Sequence, residues 1–372
     1  VSRSSASPSG TGPLAERIRA LIETGGPLSV FDFMGLCLTD PEHGYYMRAE
    51  PFGADGDFIT APEVSQFFGE LVGAWVVAAH AALGSPRPFH LVELGPGRGT
   101  LMADMLRVAA LRPAFREAAS LHLVETSRRL REIQRATLGD ASATARWHDR
   151  LADLPEDAPL LVVANEFFDA LPIRQYVKTA QGWRERAVGL DEQGALRFVA
   201  GTGSLDAAEL PAGLAGAAEG TILETQPLAN ALMEELGARI ARQGGLLLAI
   251  DYGYARTAPG DTLQALRAHR PVEVLAEPGR ADLTAHVNFE ALARAARAGG
   301  LRPRALTTQG DFLLGLGLLE RAGQVGAGRS PQEQERIRGE VERLAAPQEM
   351  GELFKVLAVA GPDVVLPLFD GV

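Results

Sequence analysis

The sequence predicts an α/β protein built on a mostly parallel β-sheet with helices on both faces. Two observations carry that reading. Apolar runs of strand length recur as "FHLVELG", "LHLVET", "ATARWH", "PLLVVANE" and "GGLLLAIDYG", with helical stretches between most of them. These runs are close to continuously apolar, so both faces of the sheet are expected to be covered.

The elements follow in order. "VSRSSASPSGTGP", residues 1–13, lacks the apolar core of a signal peptide and reads as a flexible tail. "LAERIRALIETGG" is a helix ending on glycines, and "SQFFGELVGAWVVAAHAAL" is a long helix with an apolar face. Between them runs "DPEHGYYMRAEPFGADGDFITAPEVS", a long loop rich in Gly, Pro and aromatics, of the kind that carries function. Residues 14–86 are therefore expected as an N-terminal helical extension and 87–372 as the sheet core. Two insertions interrupt that core. The first, at about 173–222, has strand-like runs joined by Gly-containing turns and reads as a small antiparallel addition. The second, at about 253–290, is a polar connection, and "MGELFKVLAVAG" is one last strand.

The 372 residues are long for one domain and predict a large decorated domain or two closely packed units. The single cysteine, Cys37, excludes an intrachain disulfide framework and points to a reducing compartment. It has no obvious histidine partner and reads as a buried structural thiol. The seven histidines show no HExxH or CxxC spacing, so no metal site is expected. A net charge of −11 argues against a nucleic-acid binder with a broad basic face. No uninterrupted apolar run reaches the roughly 18 residues that span a bilayer.

The chemistry begins at Glu93-Leu94-Gly95-Pro96-Gly97-Arg98-Gly99-Thr100, a glycine turn after the first apolar strand. A dinucleotide fingerprint needs a glycine where Thr100 stands, and a phosphate loop of the Walker type needs a lysine that is absent. Spacing thus disfavours phosphate and leaves S-adenosylmethionine (SAM), with a tight structural turn as the plain alternative. Gly95, Gly97 and Gly99 would let the backbone pass close under that ligand, and Glu93 would hold its ammonium end. Glu125, at the end of the second strand, is placed to accept both ribose hydroxyls. Trp147 to Asp149 close the third strand, where an adenine ring would be met; a core Trp explains Trp147 equally well.

The fourth strand ends in Asn165-Glu166, with Asp169 three residues on. Ligands of open α/β sheets bind at the carboxyl ends of the strands, so these groups are expected to face the transferable methyl. Asn165 or Asp169 capping the next turn is the alternative. Were the acceptor a guanidinium, Glu166 would pair with it in the fork geometry of Arg and carboxylate, and a carboxylate would take its proton.

"GYY", "GDFITAPEVSQFFGEL", "VELGPGRGTLMADML", "ANEFFDALPI", "DYG", "GDTLQA", "PGRADLTAHVNF" and "MGELFKVLAV" together resemble the MidA family of SAM-dependent methyltransferases, in blocks running from about Glu42 to Val359. That family includes a mitochondrial complex I assembly factor that dimethylates an arginine on a complex I subunit. The resemblance implies a class I methyltransferase core, Rossmann-like with a mostly parallel seven-stranded sheet, and SAM as cofactor. It implies a protein substrate, symmetric dimethylarginine as product, and a cytoplasmic site in a bacterium or the mitochondrial matrix in a eukaryote. Carried over by position, it makes Gly56, Asp57, Thr60, Pro62 and Gln66 a lid at the methionine end of the cofactor. It sets Asn165, Glu166 and Asp169 at the substrate mouth. Asn288 stands where the family's pattern has an acid; as a helix cap Asn serves about as well. A SAM-binding assembly chaperone for complex I and methylation of another substrate are the competing functions.

Overall fold

The structure, a computed structural model, describes residues 12–48, 60–206, 210–211 and 213–370. Its chain divides into two compact units: Val1–Phe58, Ala170–Leu228 and Arg256–His286 in one, Ile59–Asp169, Ala229–Ala255 and Val287–Val372 in the other.

The second unit holds the parallel sheet. Its main strands are β1 (Phe89–Leu94), β2 (Ala119–Val124), β3 (Arg146–His148), β4 (Leu160–Asn165), β5 (Gly245–Tyr254), β6 (Arg302–Pro303) and β7 (Phe354–Ala360). They lie in the order β3-β2-β1-β4-β5-β7-β6. β1 to β5 pair in parallel, while β7 runs antiparallel to both β5 and β6. Two short strands join off this path, Val287–Asn288 beside β5 and Thr307–Thr308 beside β7. Every residue of β1 and of β4 is buried, which is why their sequences show no polar alternation. Strand order reverses between β1 and β4, so the carboxyl ends of those two strands open the crevice where such sheets take ligands.

Four helices of this unit bear on the site: α1 (Ala61–Val64), α2 (Gln66–Ala82), α3 (Thr100–Ala109) and α4 (Arg128–Leu138). The 14–86 extension divides, because α2 belongs with the sheet. It buries Phe67, Phe68, Val72, Trp75 and Ala79 in the sheet's core, each Phe contributing about 1.5–3 kcal/mol. It also lies against α3 so closely that a Cβ on Gly69 would stand 2.5 Å from Asp104 Cβ. Asn288 caps the helix Phe289–Ala298, accepting the Ala291 N–H at 3.1 Å.

In the first unit the helices Pro13–Gly25 and Val30–Thr39 pack with the two insertions around Phe33, Met34, Ile173, Val188 and Leu283. Cys37 is buried in that core. The antiparallel addition is present as Arg174–Thr179, Gly182–Leu190 and Leu196–Ser204, joined by Leu28–Ser29 and Ile222–Thr225. The stretch 253–290 is more than a polar connection: Gln264–Arg267, Arg270–Val272 and Asp282–Thr284 form a three-stranded sheet. Strands of three or four residues are too short to show a period of two, which hid them.

Candidate active site

The glycine turn leaves β1 at the crevice. The Gly95 N–H donates to Val124 O (3.1 Å) and the Gly99 N–H to Pro96 O (2.7 Å), after which α3 begins at Thr100. Gly95, Gly97 and Gly99 all have positive φ, at 59°, 52° and 83°. At Gly95 the space is closed as well: a Cβ would stand 2.9 Å from Cδ2 of Phe167, in the turn after β4. Thr100, which breaks the dinucleotide spacing, donates its hydroxyl to Glu63 of α1 at 2.5 Å.

Glu93 is buried near the end of β1, and its Oε2 has no hydrogen-bond partner among the described residues. Burial, with Asp104 nearby, pushes its carboxyl well above the usual range, against the pull of the Met102 N–H. Glu125, also buried, accepts the Ser127 N–H on Oε1 (2.7 Å) and the Gln134 amide on Oε2 (3.2 Å). Burial raises its pKa, and those bonds together with Arg131 oppose the rise.

Gln134 was not singled out by the sequence reading, yet it ties this end together. Its amide also donates to Gly97 O (2.8 Å), and its oxygen accepts the Trp147 indole N–H (2.8 Å). The signal was there: Leu130, Gln134 and Leu138 are the three buried residues of α4, so a glutamine occupies an apolar stripe. Trp147 is half-buried beneath the Arg135 guanidinium, 4.5 Å from the ring centre, and Asp149 is exposed and paired with Arg131 at 2.5 Å.

Across the crevice, β4 ends at Asn165, and Glu166 follows with φ 48°, the left-handed region that non-glycine residues avoid. Glu166 Oε1 accepts the Ala61 N–H (3.0 Å) and the Asn165 amide (3.3 Å). Asn165 Oδ1 is buried with no partner among the described residues. Burial, then Asp169, raises the Glu166 carboxyl to about 8. The amides of this turn meet Asp251 of β5. Fully buried, its Oδ2 accepts the N–H groups of Phe167 (3.2 Å), Phe168 (2.9 Å) and Asp169 (3.3 Å). Its Oδ1 accepts its neighbour's, Tyr252, at 2.9 Å.

Of the lid residues, Gly56 and Asp57 lie outside the described residues. Thr60 is the N-cap position of α1, where its carbonyl accepts the Glu63 N–H, and Pro62 is buried in the first turn. Gln66 is exposed and donates to Glu70 one turn along α2 (2.9 Å).

Residues 71–307 match a family described as "Putative S-adenosyl-L-methionine-dependent methyltransferase". The chain belongs to that family. Among its relatives, the mitochondrial protein arginine methyltransferase NDUFAF7 homolog of Drosophila melanogaster is 38% identical, over 96% of this chain and 86% of that protein. Human mitochondrial protein arginine methyltransferase NDUFAF7 is 36% identical, over 93% and 83%. A crystal structure from Burkholderia thailandensis, bound to S-adenosyl-homocysteine, superposes with a TM-score of 0.81 at 33% identity, covering 95% of each chain.

The fold is therefore that of a class I methyltransferase and the cofactor is SAM. The residues fit that group on their own chemistry. SAM brings an ammonium and two ribose hydroxyls, all donors, and the crevice offers acceptors: Glu93 Oε2, without a partner, and the Glu125 carboxylate, with lone pairs left over. Gly95 to Gly99 would pass beneath it. When bound, it supplies an electrophilic methyl on a good leaving group. Among the described residues no cluster of three or more His, Cys, Asp or Glu is arranged to hold a metal, and no helix is long and apolar enough to cross a membrane.

Proposed function

We propose that this methyltransferase acts on arginine side chains of a partner protein, with Glu166 as the group that binds the guanidinium and takes its proton. The carrying observation is the placement of Glu166: a carboxyl at the carboxyl end of β4, beside the β1 glycine turn, with its pKa raised to about 8. Two demands meet there. A free guanidinium keeps its proton, so the new C–N bond needs an acceptor, and the best acceptor has a pKa near the working pH. The Ala61 N–H and the Asn165 amide both fall on Oε1, which leaves Oε2 to face a substrate N–H. Approach of the cation would itself draw the Glu166 pKa down and ready the carboxylate. Relatives named as protein arginine methyltransferases support the arginine reading. The family resemblance points further, to a respiratory complex I subunit as substrate and symmetric dimethylarginine as product. A mitochondrial matrix or bacterial cytoplasmic location goes with that substrate.

Glu166→Gln tests the assignment. Calorimetry should show unchanged SAM affinity, while transfer of labelled methyl to protein arginine falls at least about a hundredfold, the lower end of what general-base help contributes. A fully active variant removes Glu166 from the chemistry. Mass spectrometry of arginine methylation in cells with and without the gene would identify the target and its methylation state.

A further inference from the structure

We infer that Asp251 is a positioning residue for methyl transfer, a buried carboxyl on β5 that locks the turn carrying Glu166. The inference rests on Glu166 as the proton acceptor. Three successive amides, those of Phe167, Phe168 and Asp169, converge on one Asp251 oxygen, and the Tyr252 amide holds the other. Successive N–H groups point at one anion only when the backbone is bent into a nest. That bend begins at Glu166, whose left-handed φ of 48° has no glycine to ease it. Its own N–H is fixed to Ile250 O at 2.9 Å, one residue before Asp251. The carboxyl therefore supplies the fastening that keeps Glu166 against the Ala61 N–H and Asn165. In the same turn the Phe167 ring lies against Gly95.

Fold stability alone does not call for an acid here. Asp251 has no exposed surface and lies close enough to Asp169 and Glu166 for both to push its pKa up. Arg343, from the helix Pro331–Ala345, pulls the Glu166 pKa down.

The experiment compares Asp251→Asn with wild type and with Glu166→Gln. Asn keeps an oxygen for the three amides and sets an N–H donor where the other carboxyl oxygen accepts the Tyr252 N–H. SAM affinity by calorimetry should stay within about twofold, because Glu93, Glu125 and the glycine turn are untouched. Methyl transfer to the proteins of a lysate from cells deleted for the gene should fall about 10- to 100-fold, as a displacement of order 1 Å brings. Counted per SAM-binding site by calorimetry, kcat should fall with the KM for SAM unchanged, a split that a loss of folded protein would not produce. An Asp251→Asn with the wild-type kcat overturns the inference, and if Glu166→Gln is then inactive the proton-acceptor reading survives. Active Glu166→Gln sinks that reading instead. Should Asp251→Asn fail to fold, wild-type amide exchange decides: Phe167, Phe168 and Asp169 N–H groups should exchange as slowly as the amides of β4. Fast exchange at those three overturns the inference.

Discussion

At the scale of single residues the site is a set of acceptors at strand ends. Glu125 has two lines of support, the Ser127 N–H and the Gln134 amide, which hold it in place before any ligand arrives. Glu125→Ala should therefore weaken SAM binding by about 1.5–3 kcal/mol, the worth of hydrogen bonds to a charged group. Calorimetry measures it, and unchanged affinity takes Glu125 out of the site. The carboxylates were legible because an acid ending an apolar strand stands out: Glu93, Glu125 and Glu166 all carry that signature. Asp251 carries it too, in "LLLAIDYG", but nothing in the sequence says that amides 82 to 84 residues away converge on it. That convergence depends on β4 and β5 being neighbours, with Asn165 paired to Ile250. Gln134 was hidden differently, since a glutamine on a charged helix looks like solvent-facing polarity until Leu130 and Leu138 fix its phase.

At the scale of elements, the long apolar strands and the three-residue β3 inside "ATARWH" show in the sequence, whereas the short strands of 253–290 and those off the main strand order do not. Long-range pairing makes the short ones, and no local period announces it. The division of the N-terminal stretch was equally hidden, because an apolar helix face does not say which core it joins, and α2 carries Phe67, Phe68 and Trp75 to the sheet. Gly69 and Gly73 let α3 approach; a Cβ on Gly73 would stand 2.8 Å from Met105 Cα. Two effects compete in Gly69→Ala. Helix propensity favours alanine by about 1 kcal/mol, and overpacking costs about 1–3 kcal/mol. The stiffness of the neighbour decides it: the clash is with the Cβ of Asp104, whose head is held by Arg107 at 2.6 Å, so the side chain has little room to give. Urea unfolding should show a net loss of stability, and a gain would mean that α2 and α3 can slide apart freely.

The whole molecule carries two opposed proton ledgers, and together they set its stability against pH. Glu166 rises to about 8 in the folded chain from a usual 4.5, so its stabilising contribution is complete below pH 4.5 and is lost as pH rises to 8. Burial pushes Glu93, Glu125 and Asp251 the same way. His122 and His148 oppose them. His90, His122 and His148 link β1, β2 and β3 through ring nitrogens 3.0 and 2.9 Å apart, and burial with its two neighbours drives His122 from 6.5 to about 3. Its contribution is complete above pH 6.5 and is lost as pH falls to 3. Between pH 4.5 and 6.5 the two slopes oppose each other. Above 6.5 Glu166 still acts, so the protein without cofactor should lose stability up to pH 8, on the order of 1 kcal/mol per pH unit from that group. Urea melts across that range should show the fall. Glu166→Gln should make it shallower, and His122→Asn should leave it unchanged while flattening the limb below 6.5. A wild-type curve that climbs from pH 6.5 to 8 would show that these acids are not held in the folded chain as the crevice holds them.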